Sequence, residues 1–191
     1  FHEAAWVVLA AGCWSGSIPG VPPLSVEPRR GQAFAVAGSL VHRTLSTQRV
    51  YLVPHSTGET LVGATVERAG FEVANTVGGL QQVIEAAQEA LPPLADCHFV
   101  RAWAGLRPST PDGLPVLGPF AQLPNLIAAT GHFRDGIQLA PLTAELVRHV
   151  LSQPVEVSGR QVCVGASIGI AVSGHAESAD ELVRAADLAM Y

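Results

Sequence analysis

Two short segments hold the residues best suited to chemistry. The first runs Trp103-Ala104-Gly105-Leu106-Arg107-Pro108-Ser109. Pro108 biases the residue before it toward extended backbone, so Arg107 projects from a strand end with little freedom. Its apolar flanks would strip water from the guanidinium, and a planar fork so placed suits a carboxylate held by two hydrogen bonds. The same features suit an arginine that pairs with an internal Asp or Glu to pin a loop. Residue types alone leave both readings open. The second segment is Gly131-His132-Phe133-Arg134-Asp135-Gly136-Ile137-Gln138. Its two glycines let backbone approach a ligand closely, and a helix follows whose N-terminus carries partial positive charge. That pairing would stabilise an anion developing on a flat ring system. It would equally serve an ordinary strand-to-helix turn capped by Asp135. His132 alone reads as a packed, hydrogen-bonded imidazole.

The elements that must position these segments can be read from periodicity. Ala5-Trp6-Val7-Val8-Leu9-Ala10-Ala11, closed by Gly12, is a continuous apolar run that predicts a strand buried on both faces. Residues 32–40, 49–54 and 60–67 are short and rich in Val, Thr, Tyr and Leu. The last two flank His55-Ser56-Thr57-Gly58-Glu59, which predicts an antiparallel hairpin. Leu80, Val83, Ile84, Ala87 and Leu91 share one helical face, with Asn75 or Thr76 as the cap and Pro92-Pro93 as the stop. Residues 98–105 predict another strand, and Leu126 to Ala129 a short buried one. A helix then carries Leu139, Leu142, Leu146 and Val150 on one stripe, with Pro141 in its first turn. The order gives a mixed α/β (α+β) fold: an antiparallel meander with an inserted helix, then a returning strand-loop-helix.

Composition narrows the function classes. The 191 residues carry 11 basic and 16 acidic side chains, a net charge of −5, and every basic residue is Arg. Without a basic cluster the electrostatic term behind nucleic-acid affinity is missing. Without Lys, Schiff-base and Walker-type phosphate chemistry are excluded in this chain. No apolar run approaches the ~18 residues of a membrane span. Cys13, Cys97 and Cys163 are odd in number and far apart, which fits three buried thiols in a reducing, cytoplasmic setting. The seven histidines are scattered, the closest pair 13 residues apart, so no local metal motif is present. The opening Phe1-His2-Glu3-Ala4 has neither Met nor a basic n-region. It reads as the middle of a longer protein and not as a signal peptide.

Six motifs occur in a telling order: residues 7–15, Arg30-Gly31-Gln32, Tyr51-Leu52-Val53-Pro54, Leu61-Val62-Gly63-Ala64-Thr65, residues 105–113 and residues 132–141. Together they resemble the C-terminal half of the FAD-dependent D-amino-acid oxidase family, above all the glycine oxidases of thiamine biosynthesis. The resemblance implies FAD as cofactor and glycine or another small amine or D-amino acid as substrate, oxidised with oxygen to an oxo acid, ammonia and peroxide. It implies that Arg107 binds the substrate carboxylate and that Tyr51 and Arg134 line the pocket. It further implies that Gly12, His132, Phe133, Arg134, Asp135, Gly136, Ile137 and Gln138 face the flavin. No residue is expected to act as a general base and none to bind metal, because the cofactor carries the redox step. The family's G-x-G-x-x-G pyrophosphate cradle is not found in these residues, since Gly12, Gly16 and Gly20 are spaced four apart. An FAD-binding half is therefore an implied partner, and a homo-oligomer of the complete enzyme is expected.

Composition shifts near Gln153-Pro154, which predicts an oxidase-like piece over residues 1–153 and a strand-helix appendage over 154–191. The appendage, with Ala166 to Val172 as strand and a Ser178-Ala179-Asp180-Glu181 capping box, resembles the end of a diguanylate cyclase (GGDEF) domain. That family's metal-binding carboxylates and its Gly-Gly-acidic hairpin are absent from the sequence. Two alternatives to an oxidase follow: a signalling protein of the cyclase class, and a non-catalytic fragment of either family.

Overall fold

The computed structural model describes residues 4–153, 155–157 and 160–162. The chain divides into two units, Phe1–Thr143 and Ala144–Tyr191. The first is built on β2 (Glu27–Ala37), an 11-residue strand at the heart of a five-stranded sheet. Its order is β3 (Leu45–Ser46), β4 (Tyr51–Pro54), β5 (Glu59–Gly63), β2 and β6 (Phe99–Ser109), with every pairing antiparallel. The link at residues 55–58 closes β4 onto β5, as the hairpin pattern predicts. β2 starts and ends earlier than the 32–40 that periodicity suggests, and β6 runs four residues past the expected end at 105. They pair from Glu27↔Ser109 to Val36↔Phe99, and Arg107 falls inside β6, not beyond it.

Strand alternation gives this sheet two chemically different faces. Phe34, Val36, Leu52 and Val62 are buried with Val83, Ala86 and Ala87 of α1 (Val77–Ala90), and together they form the main core. Helix α1 begins where Thr76 accepts a hydrogen bond from the Gly79 N–H at 3.1 Å, which selects Thr76 over Asn75 as the cap. It ends before the 3-10 turn Pro92–Asp96. The opposite face of the sheet carries the site.

A second sheet has the order β1 (Val7–Leu9), β8 (Leu123–Thr130), β7 (Val116–Phe120). β1 runs parallel to β8, and β7 antiparallel to it. β7 has no clear period, being interrupted by Gly118 and Pro119. The expectation that β1 is buried on both faces is corrected. Val7 and Val8 are 48% and 42% exposed, because β1 has a single neighbour in the sheet and only Leu9 is covered.

Helix α2 (Gly136–Leu151) starts five residues before Pro141, so the proline lies in the second turn and not the first. None of its residues is buried, and Leu142 and Leu146 of its apolar stripe are exposed. Beyond it, β9 (Val155–Val157) pairs antiparallel with β10 (Arg160–Val162). The strand, capping box and helix expected after residue 162 lie outside the described residues, as does Cys163. Cys13 is buried, which pushes its thiol up. Cys97 is only half-buried, a correction to three buried thiols, since it sits at the end of a short 3-10 turn. Among the described residues no helix is long and apolar enough to cross a membrane.

Candidate active site

The face of the five-stranded sheet away from α1 is lined by small residues. Gly31 on β2 stands opposite Gly105 on β6, and Gly63 on β5 opposite Tyr51 on β4. These glycines leave shallow troughs that longer neighbours fill. The Arg107 guanidinium, two residues along from Gly105, lies over Gly31 so closely that a Cβ there would run into it. A Cβ on Gly63 would come within 2.6 Å of the Tyr51 hydroxyl oxygen. The Arg107 Nη1 donates to the Thr65 carbonyl at 3.2 Å, fixing the fork from one side.

Tyr51, Arg107 and Arg134, predicted from three distant parts of the chain to bind substrate, line one cavity of about 260 Å³. Gly63 and Arg49 line it too, with the turn between β3 and β4. Its lining contains no Asp or Glu.

The residues expected at the cofactor gather at the carboxyl ends of β1 and β8. Gly12 leaves β1 with φ +55° and Gly131 leaves β8 with φ +78°. The Ser15 hydroxyl, the Thr130 hydroxyl and the Gly12 carbonyl bind one another at 2.8–3.0 Å, joining the two strand ends. Phe133 also has a left-handed backbone, φ +48°, and its N–H donates to the Pro108 carbonyl at 2.8 Å. That bond, with the bridge between Ser109 and His132, ties the loop to the strand end that bears Arg107. His132 Nε2 lies 2.9 Å from the Thr143 hydroxyl, a satisfied imidazole as its sequence context suggests. The Arg134 guanidinium packs 5.3 Å from the centre of the Phe133 ring. Asp135 accepts the Leu139 N–H on its backbone carbonyl. Gly136 opens α2, where Ile137 is 93% exposed, Gln138 is exposed, and the first turn carries no acidic residue.

The profile of the FAD dependent oxidoreductase family (DAO) matches residues 1–150. The chain belongs to that family. The bifunctional protein ThiO/ThiG of Nostoc sp. is 40% identical over 155 residues, covering 78% of this chain and 23% of that protein. The glycine oxidase of Pseudomonas aeruginosa is 37% identical over 152 residues, covering 76% of this chain and 41% of that protein. The crystal structure of glycine oxidase from Geobacillus kaustophilus superposes with a TM-score of 0.70 at 35% identity, covering 76% of this chain and 40% of that one. The chain thus spans well under half the length of these relatives.

Within this family member, a buried network holds Thr65, and through it Arg107. Arg30 is only 5% exposed, and its Nε donates to Glu67 at 2.9 Å while Glu72 lies 3.3 Å from Nη1. The Gln32 amide donates to Glu67 at 2.7 Å and to Thr76 at 3.0 Å, and its backbone N–H donates to the Thr65 hydroxyl at 2.9 Å. Burial works to raise the Glu67 carboxyl, but hydrogen bonds from Thr65, Arg30 and Gln32 outweigh it and hold the group below the usual carboxylate range. The same bond to Glu67 pushes the Arg30 guanidinium up. Sequence reading singles out Arg30-Gly31-Gln32 and Gly63-Ala64-Thr65 as motifs without their roles, and it misses Arg49. No strand period signals it, because Arg49 lies in the bend before β4 and its guanidinium reaches Glu89 of α1.

Proposed function

We propose that this chain is the substrate-recognising part of a cytoplasmic FAD-dependent oxidase of glycine or a similarly small amine or D-amino acid, of the kind that serves thiamine biosynthesis. The observation that carries the reading is the single cavity shared by Tyr51, Arg107 and Arg134. Arg107 takes the substrate carboxylate as a fork, and its contacts with Gly31 and Thr65 hold it ready for that ligand. Tyr51 forms a wall, with Gly63 leaving it room. Val66, near the Gly-Ala motif, is exposed and not among the lining residues.

The residues at the carboxyl ends of β1 and β8 fit the ring-facing part of a flavin site. Parallel strand ends are where α/β sheets bind such ligands. Here they bear two left-handed glycines and a helix whose first turn, after Asp135, carries no acidic side chain. Gly12 and residues 132–138 would hold the ring there. FAD bound there would supply the two-electron oxidation of the amine, with oxygen as final acceptor, so that the products are oxo acid, ammonia and peroxide. The chain's own residues bind and orient the amine, and none is needed to move a proton. A pyrophosphate cradle would come from an FAD-binding segment outside these residues. We read residues 154–191 as a separate cyclase-like remnant with no part in this chemistry.

The test joins this chain to a G-x-G-x-x-G-bearing half, in frame or in trans, and follows glycine-dependent peroxide release. Arg107→Leu should raise KM by the equivalent of roughly 2–5 kcal/mol. Arg107→Lys should recover only part, since an ammonium cannot make the fork. An unchanged kcat/KM in the Leu variant would remove Arg107 from the site.

A further inference from the structure

We propose that the cavity is built for an amine bearing two acidic groups, with Arg107 binding the carboxylate beside the reacting carbon and Arg49, backed by Arg134, binding the second. This rests on the reading of the cavity as the substrate site, and it names the substrate class. Three arginines line the space and no carboxylate does. A guanidinium keeps its charge at any working pH, and a cleft lined by one sign concentrates ligands of the other. Among the described residues, Arg107 and Arg134 take part in no ion pair. Arg49 alone is paired, to Glu89 at 2.6 Å, on the side away from the cavity lining. A substrate with one carboxylate leaves this lining with unmatched positive charge. A second carboxylate balances it.

The wall that bears Arg49 fits the same purpose. Ser46 and Gln48 bring a hydroxyl and an amide to this wall, so a second oxyanion finds donors where an apolar arm finds none, while the Thr47 hydroxyl is committed to the Val50 carbonyl at 3.0 Å. The turn itself is held firmly. The Thr47 hydroxyl accepts the N–H groups of Arg49 and Val50 at 3.2 and 3.0 Å, and the Thr47 N–H donates to Val50 O at 2.8 Å. Backbone position is thereby fixed while the long Arg49 side chain is free to exchange one carboxylate for another. The Arg49–Glu89 pair is exposed on both sides, and such pairs are weakly held. The cavity volume of about 260 Å³ lies just below the roughly 300 Å³ at which drug-sized ligand pockets begin, so a second arm has room.

The experiment titrates the 191-residue chain, followed by amide chemical shifts, with N-(carboxymethyl)glycine and with N-methylglycine at matched ionic strength. These secondary amines differ by the second carboxylate. The dicarboxylate should bind on the order of 10-fold more tightly, the worth of one charge-assisted hydrogen bond. Arg49→Gln should bring the affinity ratio close to one, and Glu89→Gln should widen it by freeing Arg49. Equal affinities in the wild-type chain, or a ratio that survives Arg49→Gln, would overturn the proposal while leaving the substrate-site reading intact. Binding of both ligands that is indifferent to Arg107→Leu, or no binding of either, would overturn that reading and the inference with it.

Discussion

The two sheets of the first unit have similar hydrophobic strands and very different surroundings. Around β2, the sheet is closed: Phe34, Val36, Leu52 and Val62 meet Val83, Ala86 and Ala87 of α1, and its other face carries the cavity. Around β1 and β8, Leu9, Ile127, Ala128 and Thr130 are buried, and Val7, Val8 and Leu123 are exposed. The lesson is that the cavity proposed to recognise substrate is built from elements that lie within this chain. The face proposed for the cofactor presents strand ends and a helix start whose apolar surface has little cover among the described residues. An uncovered strand with the composition of a buried one marks where a further layer belongs.

Substitutions can break or sharpen this contrast. Phe34→Ala should have the largest effect, about 3–5 kcal/mol of unfolding free energy, because a fully covered ring leaves a cavity. Urea denaturation with an unchanged slope checks it. Glu67→Ala should follow, at roughly 2 kcal/mol, since it leaves the covered Arg30 guanidinium with only the more distant Glu72. The pH dependence has a definite sign. The Glu67 carboxyl is held below its ordinary value of 4.5, so its contribution is present above that pH and is lost as pH falls through the lower folded value. Acid titration of the melting temperature should show this loss, and Glu67→Gln should flatten it.

Gly31→Ala separates site from fold. The new methyl meets the far end of Arg107, not backbone, so the guanidinium must move while the sheet stays. Carboxylate binding should weaken by about 1–3 kcal/mol in a ligand titration, with thermal stability nearly unchanged. Val8→Thr, in the uncovered sheet, should have the smallest effect, within about 0.5 kcal/mol in the same urea experiment. A cost near that of Phe34→Ala would erase the contrast.

How much was legible follows from the range of the interactions involved. The β4–β5 hairpin, the Thr76 cap, the Pro92 stop and the extended Arg107 rest on neighbours in sequence, and local pattern reveals them. The early start of α2 was hidden because Pro141, a common first-turn residue, is tolerated here in the second turn. β7 was hidden by Gly118 and Pro119, and the exposure of β1 by its composition, which reflects a cover and not its present neighbours. The cavity was partly legible: Tyr51, Arg107 and Arg134 came from family resemblance, while Arg49, Gly31 and the Arg30–Glu67–Gln32 network depend on cross-strand register that no local period encodes.

Backbone hydrogen exchange of the chain alone tests the central claim, that the sheet bearing the proposed recognition cavity is complete here and the face proposed for the cofactor is not. Amides of Ala33 to Val36 in β2, Leu61 and Val62 in β5 and Val83 to Ala87 in α1 should exchange only through global unfolding. Those of Val7 to Leu9 in β1 and of the first turns of α2 should exchange by local opening, orders of magnitude faster. Equal protection across both groups would contradict the account, because the uncovered face would then be as finished as the core that supports Arg107.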